Sequence, residues 1–302
     1  MKVLVVPTNR KENIADFLRR WEPYSHWDKI IVIEDNPEKT IDLNVNHHFS
    51  WEEIKKNLGP ESWIISRRDS AIRCYGFLAA YHMNADYVFS LDDDCYPPQG
   101  SDSWVGNHLY YLDGMPRWTC SVPNERTRGL PYENLGQMKN VMFNMGLWQG
   151  YSDLDAVQTL SSERLDPRLG RYEPPKGNRI IPKGQYFPFC GMNFSVKREA
   201  IPLCYFPLMG DEIEYHRFDD IWFGIIAKKI CDHLDWHMSV GEPFVEHIKM
   251  SNKFSNLTRE ANGIAFNEQF WSIVDEAKLT ASTPVECMKE MGVHLEETGI
   301  TY

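Results

Sequence analysis

Within its first 95 residues the chain alternates short apolar runs with helical patterns, and few folds accept that order. Lys2 to Val6 reads as a buried strand and Asn13 to Trp21 as a helix; a second strand covers Lys29 to Ile33. Ser50-Trp51-Glu52-Glu53 has the spacing of a capping box and opens a short helix. Ser62 to Ser66 reads as a third strand, Asp69 to Met83 as a helix with Ala71, Cys74, Leu78 and Tyr81 at helical spacing, and Asp86 to Leu91 as a fourth strand. Such alternation calls for right-handed crossovers and a parallel sheet. Ligands of these sheets bind beyond the carboxyl ends of the strands. The polar strand ends Pro7-Thr8-Asn9-Arg10, Glu34-Asp35 and Asp92-Asp93-Asp94 are therefore expected to face one crevice.

The last of these carries the most chemistry. Three aspartates directly after Tyr87-Val88-Phe89-Ser90-Leu91 bring several carboxylate oxygens to one point at a sheet edge. Oxygen-rich sites suit a hard cation such as Mg2+ or Mn2+, and a cation there can hold a diphosphate. A solvated acidic loop is the plain alternative; the position at the end of an apolar strand favours the metal.

Later segments are less regular. From about Gly100 to Lys183 the chain is rich in Pro, Gly and polar residues and reads as long loops and short elements over the site. Regular structure is expected at Phe187 to Val196, in a helix from Asp219 to about His233, in a strand from Pro243 to His247, and in a C-terminal helical segment from Asn267 to Ala277. A polar loop, Lys249-Met250-Ser251-Asn252, follows that strand. Without repeats or a low-complexity linker, residues 1–302 read as one compound domain, which the family resemblance given below divides into a nucleotide-binding half, 1–95, and a sugar-binding half, 96–302.

Charge narrows the partners. With 32 basic and 43 acidic residues the net charge is −11, so binding to nucleic acid or anionic lipid is disfavoured. An anionic ligand then needs local arginines or a metal. The seven cysteines are scattered and lack zinc-ligand spacing, which suits reduced thiols and a cytoplasmic location. No apolar stretch approaches the roughly 18 residues that span a bilayer, so membrane insertion is not expected. No glycine-rich fingerprint follows the first strand, so neither a flavin nor NAD is expected. Ten Trp supply either core packing or stacking surfaces, and composition does not choose.

The motifs together resemble the reversibly glycosylated polypeptides, which are UDP-arabinopyranose mutases with a nucleotide-diphospho-sugar transferase (GT-A type) fold. The resemblance is carried by Val6-Pro7-Thr8-Asn9-Arg10, Arg68-Asp69-Ser70-Ala71-Ile72-Arg73-Cys74-Tyr75-Gly76 and Leu91-Asp92-Asp93-Asp94-Cys95. It continues in Thr127-Arg128-Gly129-Leu130-Pro131-Tyr132, Gly146-Leu147-Trp148, Phe187-Pro188-Phe189-Cys190-Gly191-Met192-Asn193 and Arg217-Phe218-Asp219-Asp220-Ile221-Trp222. These strings keep the family's order over most of the chain. There are departures: Glu34 stands where the family has Asp, with Asp35 displaced by one, the segment before Arg128 is short, and Glu133 to Met145 diverges.

The resemblance implies a UDP-sugar substrate, UDP-L-arabinose, and Mn2+ or Mg2+ held by Asp94 and His247 with Asp92 in support. It places Asp219 and Asp220 by the sugar and aligns Arg128 with the arginine that becomes glycosylated. Pro7, Thr8, Arg10, Glu34, Asp35, Arg68, Asp69, Arg73, Asp92, Asp93, Trp148, Gly191 and Asn193 are the expected nucleotide and substrate contacts, and Trp148 and Trp222 the expected shields against water. Plainer roles stand beside these. A late histidine is more often structural than a ligand, Asp219-Asp220 would suit a helix N-terminus, and an arginine in a Gly-Leu-Pro turn is usually dispensable. A guanidinium is also a poor nucleophile at neutral pH. A glycosyltransferase with a separate acceptor and a self-glycosylating protein without turnover remain the alternatives. A homo-oligomer is compatible with all of these readings.

Overall fold

The computed structural model describes residues 1–98, 100–115, 118, 128–131, 133, 140–165, 171–172, 174–210, 213–248 and 251–300. Its strands are β1 (Lys2–Thr8), β2 (Lys29–Glu34), β3 (His47–Phe49), β4 (Tyr87–Leu91), β5 (Cys95–Tyr96), β6 (Val141–Tyr151), β7 (Arg171–Tyr172), β8 (Arg179–Ile180), β9 (Asn193–Lys197) and β10 (His237–His247). One sheet joins them in the order β3-β2-β1-β4-β9-β6-β10-β5, with β7 on β6 and β8 on β10. The helices are α1 (Lys11–Trp21), α2 (Trp51–Leu58), α3 (Cys74–His82), α4 (Trp104–Asp113), α5 (Ala156–Leu165), α6 (Asp219–His233), α7 (Lys253–Glu276) and α8 (Pro284–Glu297). This is a mixed α/β sheet flanked by helices.

The parallel sheet expected from the alternation holds for β3-β2-β1-β4 alone. β9 runs antiparallel to both β4 and β6, and β10 pairs parallel with β6. The strand expected at Ser62 to Ser66 is not one: Gly59–Ile64 is a 3-10 turn, and the edge strand is β3. Gly59 at φ +56 ends α2, and Trp63 is 60% exposed, so this apolar run does not lie in the sheet. The helix expected from Asp69 divides into a 3-10 turn, Ser70–Arg73, and then α3. The stretch expected to be loops contains β6, whose first six residues are all buried. A strand covered on both faces shows no alternation and hides in an irregular sequence. β10 begins at His237, ahead of the expected Pro243, α7 begins well before Asn267, and α8 was not anticipated.

Packing explains where the site elements lie. Val3 to Val6 are fully buried in the centre of the sheet. A Cβ on Gly76 would come within 2.4 Å of Val5 Cγ1, so glycine lets α3 settle against β1. That contact sets Arg73, at the helix start, beneath the end of β4. On the other side of β4, the fully buried His108 of α4 ties β6 and β9 together. Its Nε2–H donates to Asn193 Oδ1 at 3.2 Å, and its Nδ1 accepts from Asn144 Nδ2 and Ser195 Oγ, each at 2.8 Å. Burial drives its pKa down to about 3, so the neutral tautomer fits this pattern. The six described cysteines are free and buried; Cys120 lies outside the described residues. Among the described residues no helix is long and apolar enough to cross a membrane.

The capping box is present. Glu53 Oε2 accepts from the Ser50 backbone N–H at 2.8 Å and from Ser50 Oγ at 2.6 Å, while Lys39 pairs with Oε1 at 2.5 Å. Partial burial would raise the Glu53 carboxyl, but Lys39 and Ser50 pull it down to about 2 from 4.5. A depressed acid stabilises the fold above its unfolded pKa and loses that contribution as pH falls. Glu53→Gln should therefore cost about 1 kcal/mol at pH 7. In urea titrations the gap to wild type should close as pH drops from 4.5 towards 2; a gap independent of pH would contradict this.

Candidate functional site

The ends of β1 and β4 meet as expected. Thr8 Oγ1 donates to Asp93 Oδ2 at 2.6 Å, and its oxygen accepts the Arg10 N–H at 3.1 Å. The Arg10 guanidinium pairs with Asp93 and reaches Asp94 Oδ2 at 3.3 Å. Asp93 is 2% exposed in its side chain, so its charge is spent on joining the two strand ends. Pro7, the preceding residue of β1, lies opposite Ile33 of β2.

Arg73 performs the same service one layer in. Its side chain is 1% exposed; Nε donates to Ser70 O at 2.9 Å, Nη1 to Ser90 Oγ at 2.9 Å and to Gly191 O at 2.5 Å, and Nη2 pairs with Asp92. All three nitrogens of this fork donate inside the protein. Gly191 also donates its N–H to Asp220 Oδ2 at 2.7 Å, and a Cβ there would sit 3.2 Å from the Asp220 Cβ. Glycine at this point lets one backbone segment serve both Arg73 and Asp220.

Asp94 and His247 are brought together by β5, since His247 pairs with Cys95 and Ile248 N–H donates to Asp94 O at 3.1 Å. His247 Nδ1 lies 2.8 Å from the Tyr151 carbonyl, which only accepts, so Nδ1 carries the proton and Nε2 keeps its lone pair. Burial and the neighbouring Asp92 push the Asp94 carboxyl up to about 6, against the opposing pull of Arg10. A buried carboxylate and a free imidazole nitrogen, with Asp92 close by, make a donor set that suits a divalent cation.

A second acidic group lies on the α6 side. Ser70 Oγ donates to Asp219 Oδ2 at 2.8 Å, and Ser66 Oγ to Asp69 Oδ2 at 2.6 Å. Burial raises the Asp69 and Asp220 carboxyls well above the usual range, with Asp219 adding to both. Asp153 and Cys190 were missed in the sequence. The Cys190 thiol donates to Asp153 Oδ2 at 3.0 Å, and burial keeps that thiol protonated. With Asp220 they form a set whose ligand atoms lie within 4.8 Å of one another; Asp92, Asp94 and His247 are not gathered that tightly. Only Cys190, inside a recognisable string, offered any signal; Asp153 sits in an unremarkable loop.

Other expected contacts are engaged within the chain. Glu34 is fully buried, and its oxygens accept from Asn36, Thr40 and Ile41 and meet His48 Nε2 at 2.8 Å. Asn193 spends both amide protons on Leu147 O and Pro243 O. Asp35 accepts from Trp51 Nε1 at 2.8 Å and from the Arg68 N–H at 3.0 Å, while the Arg68 guanidinium pairs with no carboxylate among the described residues. Trp148 is half-buried with an unpartnered Nε1. Trp222 is fully buried against Phe270 at 4.9 Å and donates to Asn267 Oδ1, so it belongs to the α6–α7 core and does not shield the site. Arg128 is exposed beside Gly129 at φ +97 and forms no ion pair among the described residues. Its neighbours Thr127 and Tyr132, like Lys249 and Met250 of the predicted polar loop, lie outside the described residues.

Against known proteins, the family model described as reversibly glycosylated polypeptide matches residues 2–112 and 121–299. UDP-arabinopyranose mutase 1 of Arabidopsis thaliana is 34% identical over 324 residues, covering 97% of this chain and 85% of that protein. The rice (Oryza sativa subsp. japonica) UDP-arabinopyranose mutase 1 is 33% identical over 303 residues, covering 94% and 79%. Among solved structures, a mannosyltransferase from Pyrobaculum calidifontis in complex with GDP-Man and Mn2+ aligns with a TM-score of 0.46 at 12% identity, over 99% of this chain and 74% of that one.

Proposed function

The chain belongs to the reversibly glycosylated polypeptide family, and on that premise we propose that it is a UDP-sugar mutase interconverting UDP-L-arabinopyranose and UDP-L-arabinofuranose. The observation that carries this reading is similarity along 97% of the chain to a protein named for that activity. The meeting of Asp94 with His247 at the carboxyl edge supports it. The chain acts as a single compound domain, with residues 1–95 taking the nucleotide and 96–302 the sugar, across one continuous sheet.

Asp94 and His247 Nε2, with Asp92, would hold Mn2+ or Mg2+, which when bound supplies Lewis-acid stabilisation of the departing diphosphate. Pro7, Thr8, Asp35, Arg68 and Asp69 receive the nucleotide; Asp93 and Arg10 hold Thr8, while Glu34, Arg73 and Asn193 serve as internal struts of the surrounding segments. Gly191, Asp219 and Asp220 face the sugar, and Trp148 limits water at it. Asp220, whose carboxyl burial and Asp219 raise well above the usual range, is the group that donates a proton to a sugar oxygen as the ring opens and recovers one as it recloses.

Arg128 receives the sugar for the interval between. The anomeric C–O bond breaks with its electron pair leaving on UDP, and a guanidinium nitrogen takes the carbon after passing a proton to a carboxylate. Reclosure through another hydroxyl, then attack by the retained UDP, releases Arg128. Acceptor-free incubation with UDP-L-arabinopyranose and Mn2+, followed by chromatography of the nucleotide-sugars, tests the function. A furanose peak supports it; intact donor, or UDP alone, contradicts it. Acid-quenched intact mass tests the covalent step, with one pentosyl group expected on wild type and none on Arg128→Lys.

A further inference from the structure

The loop leaving β6 serves both parts of the candidate site. Tyr151 gives its carbonyl to His247 Nδ1 at 2.8 Å, and two residues on, Asp153 accepts the Cys190 thiol at 3.0 Å. The loop is fixed from its far end, where Ala156 N–H donates to Glu260 Oε2 at 2.6 Å and Gln158 N–H to Asp155 Oδ1 at 2.8 Å. So held, Asp153 brings a carboxylate oxygen within 4.8 Å of one on Asp220. Plain packing accounts for little of this. A thiol is a weak donor, and Asp153 is exposed and accepts from Cys190 alone among the described residues. Two carboxylates that close oppose each other's charge, and such pairs gather where chemistry uses them.

The two carboxyls also differ. Asp220 accepts the Gly191 N–H at 2.7 Å, and burial, with Asp219 and Asp153, raises it well above the usual carboxylate range. Asp153 is open to water and lies near Arg217, whose guanidinium is raised, against burial, by Glu260, Asp153 and Asp219. Paired acids in unlike surroundings divide acid and base work between them. We propose, on the mutase reading above, that Asp153 is the general base of ring closure: it takes the proton of the sugar hydroxyl that attacks the anomeric carbon and returns it to Asp220. As the ring opens, the Arg128 nitrogen pair forms a C=N bond, the anomeric C–O pair moves onto the ring oxygen, and Asp220 supplies that oxygen's proton. As the ring recloses, the attacking oxygen bonds the anomeric carbon, the C=N pair returns to nitrogen, and the hydroxyl proton goes to Asp153. Passage of that proton to Asp220 resets the pair for the next cycle.

The test uses the full chain with Mn2+ and UDP-L-arabinopyranose. Asp153→Ala should slow interconversion by about 10²–10⁴-fold, while its affinity for UDP, read by calorimetry, stays within about twofold of wild type. Asp153 is exposed, so this truncation should leave the fold intact. Sodium formate supplies a carboxylate small enough for the space the side chain leaves, and it should restore part of the lost rate. Asp155→Asn drops a charge from the same loop but can still accept the Gln158 N–H, and it should interconvert like wild type. A wild-type rate in Asp153→Ala, loss of its UDP affinity, or a slow variant that formate does not rescue would overturn the assignment. No interconversion by the wild type would instead remove the mutase reading and this base with it.

Discussion

Asp94→Asn should lose mutase activity by a factor on the order of 10²–10³ and gain stability in the same step. Burial and Asp92 push this carboxyl from 3.8 up to about 6. An acid whose folded pKa is raised binds its proton more tightly in the fold, so its stabilisation is complete below 3.8 and is lost as pH rises towards 6. At pH 7 the metal-free protein therefore carries an ionised, buried carboxylate at a cost of about 3 kcal/mol. Asparagine removes that cost. Denaturant titrations in EDTA should show the variant more stable at pH 7, with the advantage gone below about pH 4. Wild-type activity in the variant, or reduced stability at pH 7, would sink the assignment of Asp94 as a functional charge.

The opposite outcome is expected at Arg73. Its buried fork holds Asp92, Ser90 Oγ and the Gly191 carbonyl at once. Arg73→Leu would leave a carboxylate and two polar groups without their partner, a loss of about 3–5 kcal/mol. Arg73→Lys keeps the charge but cannot reproduce the fork, so its stability should fall between the two. Activity should fall with stability in both variants, because Gly191 also anchors Asp220. A folded, stable Arg73→Leu that lost only substrate affinity would show Arg73 to be a ligand contact instead.

These two residues mark how far the sequence could be read. The place of Asp94 at the end of a buried strand was legible from the apolar run before it, while its role as a ligand came only from the resemblance; β1, β2 and β4 were legible as apolar runs, whereas β3 was not. Arg10, Arg68 and Arg73 were expected to meet phosphate or uracil, with at least one of them a structural ion pair; Arg10 and Arg73 both form ion pairs. Each is taken instead by an aspartate of the Asp92–Asp94 cluster, because a sequence shows an arginine's charge but not its partner. β6 stayed hidden for a different reason. With both faces covered, nothing in Val141-Met142-Phe143-Asn144-Met145-Gly146 enforces a period of two. Cys190 and Asp153 meet only through the fold, across a separation that no local pattern encodes. His247 was expected from the resemblance; the structure adds the Tyr151 carbonyl that fixes its tautomer.

The most direct measurement starts the reaction from both sides. Purified protein with Mn2+ and no acceptor would be given UDP-L-arabinopyranose in one series and UDP-L-arabinofuranose in another, and the nucleotide-sugars separated over time. The account predicts that both series converge on one pyranose-to-furanose ratio with total nucleotide-sugar conserved, and that Asp94→Asn converges in neither. Donor that stays unchanged in both series, or that decays only to UDP and free sugar, would contradict it.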